Sequence, residues 1–385
     1  MRAAETPLAV FAPVLGARSE TFIRRHMQDL LAGKTAVVAE SCDPPHGGAW
    51  TVPAPTLVLN RIHSGGVPRL LLDGARRRLS GKTWAEMTDD TVRAFLREHR
   101  VRAIIGEFLS WSLRWVDVAD SLGIPIFGHS HGCDVSADLR DPRWRAGYLR
   151  YNDSGGVIAM SKASARRLTG LGLDPRKVHV IPYGVDVPLH PPTRPNDRLI
   201  HCVAVGRMVS KKAPILLLDA FRRAAEVCPE LRLDYAGGGE LLPAAEQFVH
   251  AFGLAERVRL HGPQPSDAVH DLLGKADLFL QHSIVDPATG DEEGLPVSIL
   301  EAMAQGLPVI STRHAGIPEA VAEGETGFLV AEGDTRAMAD RIVRLAGRPE
   351  LRRDMGVGAW IRARELFSWE RERASLLDLV GLRCA

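Results

Sequence analysis

The sequence predicts an α/β protein built from two doubly wound, Rossmann-like parallel-sheet domains. Three observations carry that expectation. Short apolar runs alternate with amphipathic helical stretches through both halves of the chain, the pattern of a parallel sheet flanked by helices. A length of 385 residues suits two cores better than one. Between the halves, residues 187–197 carry prolines at 188, 191, 192 and 195, which makes a stiff linker. The expected division is 1–187, a linker at 188–198, a second domain at 199–367, and a closing helix at 368–385 that packs back on the first domain.

Composition excludes several classes of function. The chain is 45% hydrophobic and 25% charged, with a net charge of +1, so a dedicated nucleic-acid binder is not expected. No apolar run approaches the eighteen residues of a membrane span. The start, with its early acid and proline-broken strand sequence, does not read as a signal peptide. Five scattered cysteines without Cys-x-x-Cys spacing fit reduced thiols in the cytoplasm rather than a disulfide frame or a zinc site.

In the first half, residues 7–15 read as a buried strand closed by Gly16. Ser19 then caps a helix whose apolar face is Phe22, Ile23, Met27, Leu30 and Leu31. No Gly-x-Gly-x-x-Gly joins the two, which speaks against a dinucleotide site. Strands follow at 37–38 and 56–59. Residues 61–102 are rich in arginine, and read either as a solvated helix face or as a surface for an anionic acceptor or anionic lipid headgroups at the inner face of the membrane. Strands at 101–108 and 124–127 flank a helix at 111–122. The segment Gly128-His129-Ser130-His131-Gly132 matches the Gly-x-Ser-x-Gly elbow of a serine hydrolase with Ser130 as nucleophile, although Asp141-Pro142 leaves little room for the helix that should follow. Strands at 157–161 and 178–182 complete this half.

The second half restarts with a strand at 200–205, followed by Gly206-Arg207-Met208-Val209-Ser210-Lys211-Lys212. Arg207 and Lys212 on a strand-to-helix turn suit a diphosphate, a fork of donors beside a point charge. A strand at 231–236 leads to Gly237-Gly238-Gly239, and strands at 258–261 and 278–281 follow. Glu292 and Glu293 then reach Gly294-Leu295-Pro296, and Val297 to Gln305 reads as a short helix ended by Gly306. Free N–H groups at the start of that helix, around Val297 and Ser298, suit an anionic or hydroxyl-rich ligand. Glu293 and Glu301 stand eight residues apart, on one broad face but out of mutual contact. On spacing alone they are equally a helix-start acid and a surface residue. The apolar setting of Glu301 favours a partner for its carboxylate. A strand at 307–312, the helix opening at Gly316-Ile317-Pro318-Glu319, and helices at 334–347, 349–367 and from Ser368 complete the chain.

The run from Glu293-Gly-Leu-Pro through Glu301-Ala-Met-Ala-x-Gly-Leu-Pro-Val to Gly316-Ile-Pro-Glu319 closely resembles the nucleotide-sugar site of the GT4 family, retaining glycosyltransferases of GT-B fold. Residues 206–212 are similar to that family's Gly-Arg-Leu-x-x-x-Lys-Gly, with Ala213 in place of the last glycine. His131-Gly-x-Asp134 and the Ser-Glu-Thr-Phe-Ile run resemble its exopolysaccharide-building branch. The resemblance implies a nucleoside-diphosphate-sugar donor and a glycan, lipid-linked or small-molecule acceptor. It places Gly206, Gly237, Gly239, Gly294, Leu295, Pro296, Val297, Ser298 and Glu301 around the donor. Arg207, Lys212, Glu293 and His131 would serve catalysis, with His131 contacting a sugar hydroxyl. Gly16, Arg18 and Ser19 would form the loop facing the phosphates and acceptor. No Asp-x-Asp occurs, so no metal and no cofactor is expected, and protein cations must meet the charge of the leaving group. Two other readings stay open: a serine hydrolase through Ser130, and a nucleotide-sugar binder without turnover.

Overall fold

The computed structural model describes residues 5–17, 20–42, 50, 52–61, 81–192 and 198–382. The chain divides into two compact units. The first comprises Met1–Ala159, Ala165–Ile181 and Arg373–Ala385, and the second Met160–Ser164 and Pro182–Glu372.

In the first unit, β1 (Leu8–Leu15), β2 (Thr35–Cys42), β3 (Thr56–Val58), β4 (Ala103–Glu107), β5 (Ile126–His129), β6 (Gly156–Ala159) and β7 (Val178–Val180) form one sheet in the order β3-β2-β1-β4-β5-β6-β7. Every pairing is parallel. Continuous burial on both faces explains the unbroken apolar runs: Leu8 to Ala12 and Ala103 to Ile105 are fully buried. The order reverses between β1 and β4, so their carboxyl ends open a crevice where ligands of such sheets bind.

In the second unit, β8 (Ile200–Val205), β9 (Leu231–Ala236), β10 (Val258–Gly262), β11 (Leu278–Leu280), β12 (Val309–Thr312) and β13 (Gly327–Val330) form a second parallel sheet. Its order is β10-β9-β8-β11-β12-β13, with the switch between β8 and β11. The helix Pro214–Val227 covers it with Leu217, Leu218, Phe221 and Ala224, all buried.

Several boundaries differ from the sequence reading. The expected helix at 111–122 breaks into Leu109–Ser112, a 3-10 turn Leu113–Trp115, and Val116–Asp120. Trp115, in the 3-10 turn, is fully buried and packs edge-on against Phe11 at 5.8 Å. The first helix is Thr21–Gln28 with Glu20 at its N-cap; Ser19, the expected cap, lies outside the described residues. Pro296 is the N-cap of Val297–Ala304 rather than its first residue. Residues 62–80 of the arginine-rich stretch also lie outside the described residues. Among those described, the helix Trp84–Glu98 is capped by Thr83 and Glu86 in a reciprocal box. No helix of the described residues is long and apolar enough to cross a membrane.

Candidate functional site

The second unit gathers its polar side chains at the switch point. After β8 the chain turns through Gly206–Met208 and lies against the glycine turn that follows β9. The Met208 N–H donates to Gly238 O at 2.8 Å, and the Leu241 N–H to Met208 O at 2.9 Å. A Cβ on Gly237 would stand 1.8 Å from Gly206 O, and one on Gly239 2.4 Å from Met208 O. These glycines are therefore required by backbone-to-backbone approach. Ser210–Lys212 makes a 3-10 turn, and Ala213 takes the left-handed conformation at φ 39°, ψ 54° before Pro214 starts the long helix. Glycine is the residue that fits such a position without strain.

That turn delivers two ammonium groups to the loop after β11. Lys212 Nζ lies 3.0 Å from Glu293 Oε2. Lys211 Nζ lies 2.8 Å from Asp291 Oδ2 and 3.9 Å from Glu293 Oε1, and donates to Glu292 O at 3.1 Å. Glu293 is 9% exposed. Burial pushes its carboxyl up, yet Lys212 and Lys211 outweigh burial and hold it below the usual range. Burial also pulls the Lys212 ammonium below the ordinary lysine range, against the attraction of Glu293. Glu293 Oε1 is buried and has no hydrogen-bond partner among the described residues, an acceptor left open beside cationic groups. Arg207, on the same turn, is exposed.

The Glu293 backbone is itself held. Its N–H donates to His314 Nε2 at 3.1 Å, and His314 Nδ1 lies 2.7 Å from Glu332 Oε1. An amide can only donate, so Nε2 carries the lone pair and Nδ1 the proton that goes to Glu332. Gly316 N–H donates to Gly294 O at 3.0 Å, which ties the two loop-to-helix corners together. Gly294, Leu295 and Pro296 are buried, and Val297 and Ser298 half-buried. The first turn of Val297–Ala304 has no side-chain cap, and Ser298 Oγ donates to Gln281 Oε1 at 3.0 Å. Glu301 is half-buried among the buried Leu300, Ala302 and Met303.

In the first unit, Gly16 follows β1 at φ 99°; Arg18 and Ser19 lie outside the described residues. Ser130 is fully buried and its hydroxyl donates to Ile158 O at 3.0 Å. His131 is 5% exposed, its Nε2 lies 3.0 Å from Glu107 Oε2, and its ring packs on Phe108 at 4.3 Å and Phe22 at 4.9 Å. Its N–H donates to Asp134 Oδ2 at 2.8 Å, and burial raises the Asp134 carboxyl to about 7.

Two family profiles match consecutive stretches of this chain: "Glycosyltransferase Family 4" over residues 35–188 and "Glycosyl transferases group 1" over residues 189–359. Both stretches thus match glycosyltransferase families. It is 33% identical to the colanic acid biosynthesis glycosyltransferase WcaL of Escherichia coli strain K12, over 64% of this chain and 63% of that protein. It is 29% identical to the amylovoran biosynthesis glycosyltransferase AmsK of Erwinia amylovora, over 62% of this chain and 58% of that one. The chain thus spans about three fifths of the length of the curated relatives it matches. Among solved structures, Anabaena HepE in complex with UDP-glucose superposes with a TM-score of 0.74 at 17% identity, covering 97% of this chain and 99% of that one. Sucrose-phosphate synthase of Thermosynechococcus elongatus gives 0.69 at 17%, covering 98% of each. At that identity the likeness establishes the fold, which is GT-B.

In the second unit the structure brings Lys212 onto Glu293, which leads directly into Gly294–Ser298, and packs Gly237 against Gly206 and Gly239 against Met208. The hydrolase reading of Ser130 fails. A single 3-10 turn, Cys133–Val135, follows where the elbow needs a helix, and the hydroxyl is spent on a strand carbonyl rather than exposed to a base. Sequence reasoning missed Lys211, Gln281, His314 and Glu332. Their partners stand 21 and 18 residues away for His314 and 81 for Lys211, and no local motif marks them.

Proposed function

We propose that this protein transfers a sugar, with retention of anomeric configuration, from a nucleoside-diphosphate sugar to a hydroxyl of a glycan or lipid-linked acceptor in exopolysaccharide assembly. The observation that carries this reading is the buried Glu293 carboxylate, with Oε1 unsatisfied, beside the Lys212 and Lys211 ammonium groups. A buried acceptor left open suits a sugar hydroxyl. The ammonium and guanidinium groups on the preceding turn suit the diphosphate, whose charge grows as the bond to the anomeric carbon loosens. HepE was crystallised with UDP and UDP-glucose, and WcaL and AmsK are named for polysaccharide biosynthesis; both facts support a uridine donor and a polysaccharide product.

In this reading Arg207 and Lys212 are prepositioned against the leaving group, and Glu293 with the N–H groups of residues 294–298 orients the sugar. Glu301 accepts from ribose hydroxyls. His131 orients the donor sugar, and Gly16, Arg18 and Ser19 form the acceptor-side loop. No ion bridges the diphosphate. The chain works at the cytoplasmic face of the membrane, with basic residues of 61–102 contacting anionic headgroups.

A thermal-shift panel of nucleotide sugars tests the donor. At 100 times its Kd the correct one stabilises the protein by about 2.7 kcal/mol, and UDP affinity stays the same with Mg²⁺ or chelator present. A panel in which no nucleotide sugar raises the melting temperature overturns the reading. Donor binding without turnover across a range of glycan and polyprenyl-phosphate acceptors replaces it with a binding protein.

A further inference from the structure

A carboxylate in the first unit is encircled by imidazoles. Glu107 closes β4 and is fully buried. His26, from the helix Thr21–Gln28, places Nδ1 2.7 Å from Glu107 Oε1. His129, the last residue of β5, places Nδ1 3.0 Å from Oε2, and His131 places Nε2 3.0 Å from the same oxygen. His26 and His129 are fully buried as well. Among the described residues no lysine or arginine forms an ion pair with Glu107.

Three charge states are open to this cluster without an ion, and two of them are poor. With every imidazole neutral, an anion is buried with no cation beside it, which is costly. With two protonated, positive rings whose centroids are 5.3 Å apart for His26 and His129, and 4.9 Å for His129 and His131, repel one another in a medium that screens weakly. One protonated ring balances the charge but does not explain why three converge. A divalent cation explains the convergence. The ligand atoms of His26, Glu107 and His129 all lie within 4.8 Å of one another. His26 Nδ1 stands 2.7 Å from one Glu107 oxygen and His129 Nδ1 3.0 Å from the other, so each imidazole reaches the carboxylate within the roughly 3.3 Å edge of a tetrahedron whose ligands sit about 2.0–2.1 Å from zinc.

We propose that His26, Glu107 and His129 hold a zinc ion, with His131 hydrogen-bonded to Glu107 as the outer partner that orients the ligating carboxylate. Two imidazole nitrogens and one carboxylate oxygen are a borderline ligand set suited to zinc. The ligands come from a helix and two adjacent central strands, so the ion pins the carboxyl ends of β4 and β5 to the helix beside them and steadies His131. It is confined to the first unit and does not depend on the reading of the donor site, whose cations are Arg207 and Lys212.

The test is elemental analysis of the full chain, purified without a polyhistidine tag, followed by chelator dialysis and titration with Zn²⁺ or Co²⁺. One equivalent of zinc per chain is expected, with a melting temperature that falls on chelation and returns with Zn²⁺. Stripped protein takes up one Co²⁺ and shows visible d–d absorption. His26→Ala and His129→Ala lose the equivalent, while His131→Ala keeps it with affinity about 10- to 100-fold weaker. Cys133→Ser and Asp138→Asn, at the other cluster of ligand-type residues, leave it unchanged. Wild-type protein that carries no metal and shows neither cobalt absorption nor a thermal response overturns the proposal, and so does full zinc in the His26→Ala/His129→Ala protein. If the variants fail to fold, the wild-type stoichiometry and cobalt spectrum decide alone.

Discussion

Each unit buries a glutamate where its sheet reverses, and the two are treated in opposite ways. Glu107 has both oxygens engaged, by three imidazoles from a helix and the β5 exit. Glu293 has one oxygen on Lys212 and the other without a hydrogen-bond partner. The imidazoles divide likewise. In the first unit they converge on a carboxylate. In the second, His314 accepts the Glu293 N–H and His282 accepts the Gly333 N–H at 2.9 Å, so both hold backbone. A carboxylate enclosed by imidazoles serves the framework, whether by hydrogen bonds or through a structural ion. One with an open oxygen beside ammonium groups is poised for a substrate hydroxyl, because binding satisfies it.

The sharpest way to break that comparison is to remove the charge on each side. Glu107→Gln is expected to cost about 3–5 kcal/mol of unfolding free energy, the usual penalty for uncompensating a buried ionic cluster. Glu293→Gln, whose partners lie nearer the surface, costs less than half of that in urea unfolding while losing donor affinity. Equal costs would show that both carboxylates are framework.

Next in size is the effect on transfer. Arg207→Ala and Lys212→Ala are each expected to lower kcat by about 10²–10³-fold, or roughly 3–4 kcal/mol of transition-state stabilisation. Both should weaken nucleoside diphosphate more than free nucleoside in calorimetric titrations. An equal loss for the two ligands would remove these residues from the diphosphate site.

The acceptor histidines make a pH prediction. Burial lowers His282 to about 4, with Glu332 and Asp334 pulling the other way. Between that value and the ordinary 6.5 the unfolded chain binds the proton and the folded one does not. The stability contributed is therefore complete above pH 6.5 and is lost as pH falls toward 4, by about 3 kcal/mol in all. His282→Gln keeps an acceptor for Gly333 and should flatten the acid side of a stability-versus-pH curve by close to one proton. An unchanged slope would mean that His282 does not titrate in that window.

The smallest effect lies in the turn that carries Lys212. Ala213 sits at φ 39°, so Ala213→Gly is expected to gain about 0.5–1 kcal/mol by relieving left-handed strain, partly offset by the greater freedom of the unfolded chain. A loss in thermal unfolding would place the strain elsewhere.

Much of this protein was legible along the chain because it is written in local terms. The strands at 200–205 and 231–236 were read to the residue, since each is a short run whose apolar residues are bounded by turn sequence. Gly237 and Gly239 stood out because a close backbone approach leaves no room for another residue. Arg207, Lys212 and Glu293 could be named as candidates, and the helix read at 297–305 closes one residue earlier, because a strand-to-helix corner keeps such groups within a few residues. The hydrolase reading of Ser130 shows the reverse: five residues matched a pattern, and only the burial of the hydroxyl against Ile158 decided against it. Lys212 meeting Glu293, His314 holding the Glu293 amide, and His26, His129 and His131 closing on Glu107 join positions separated by 21 to 81 residues. No local propensity encodes such meetings. They exist because each parallel sheet, where it reverses its strand order, brings distant strand ends to its own edge, and that edge forms only when the chain has folded.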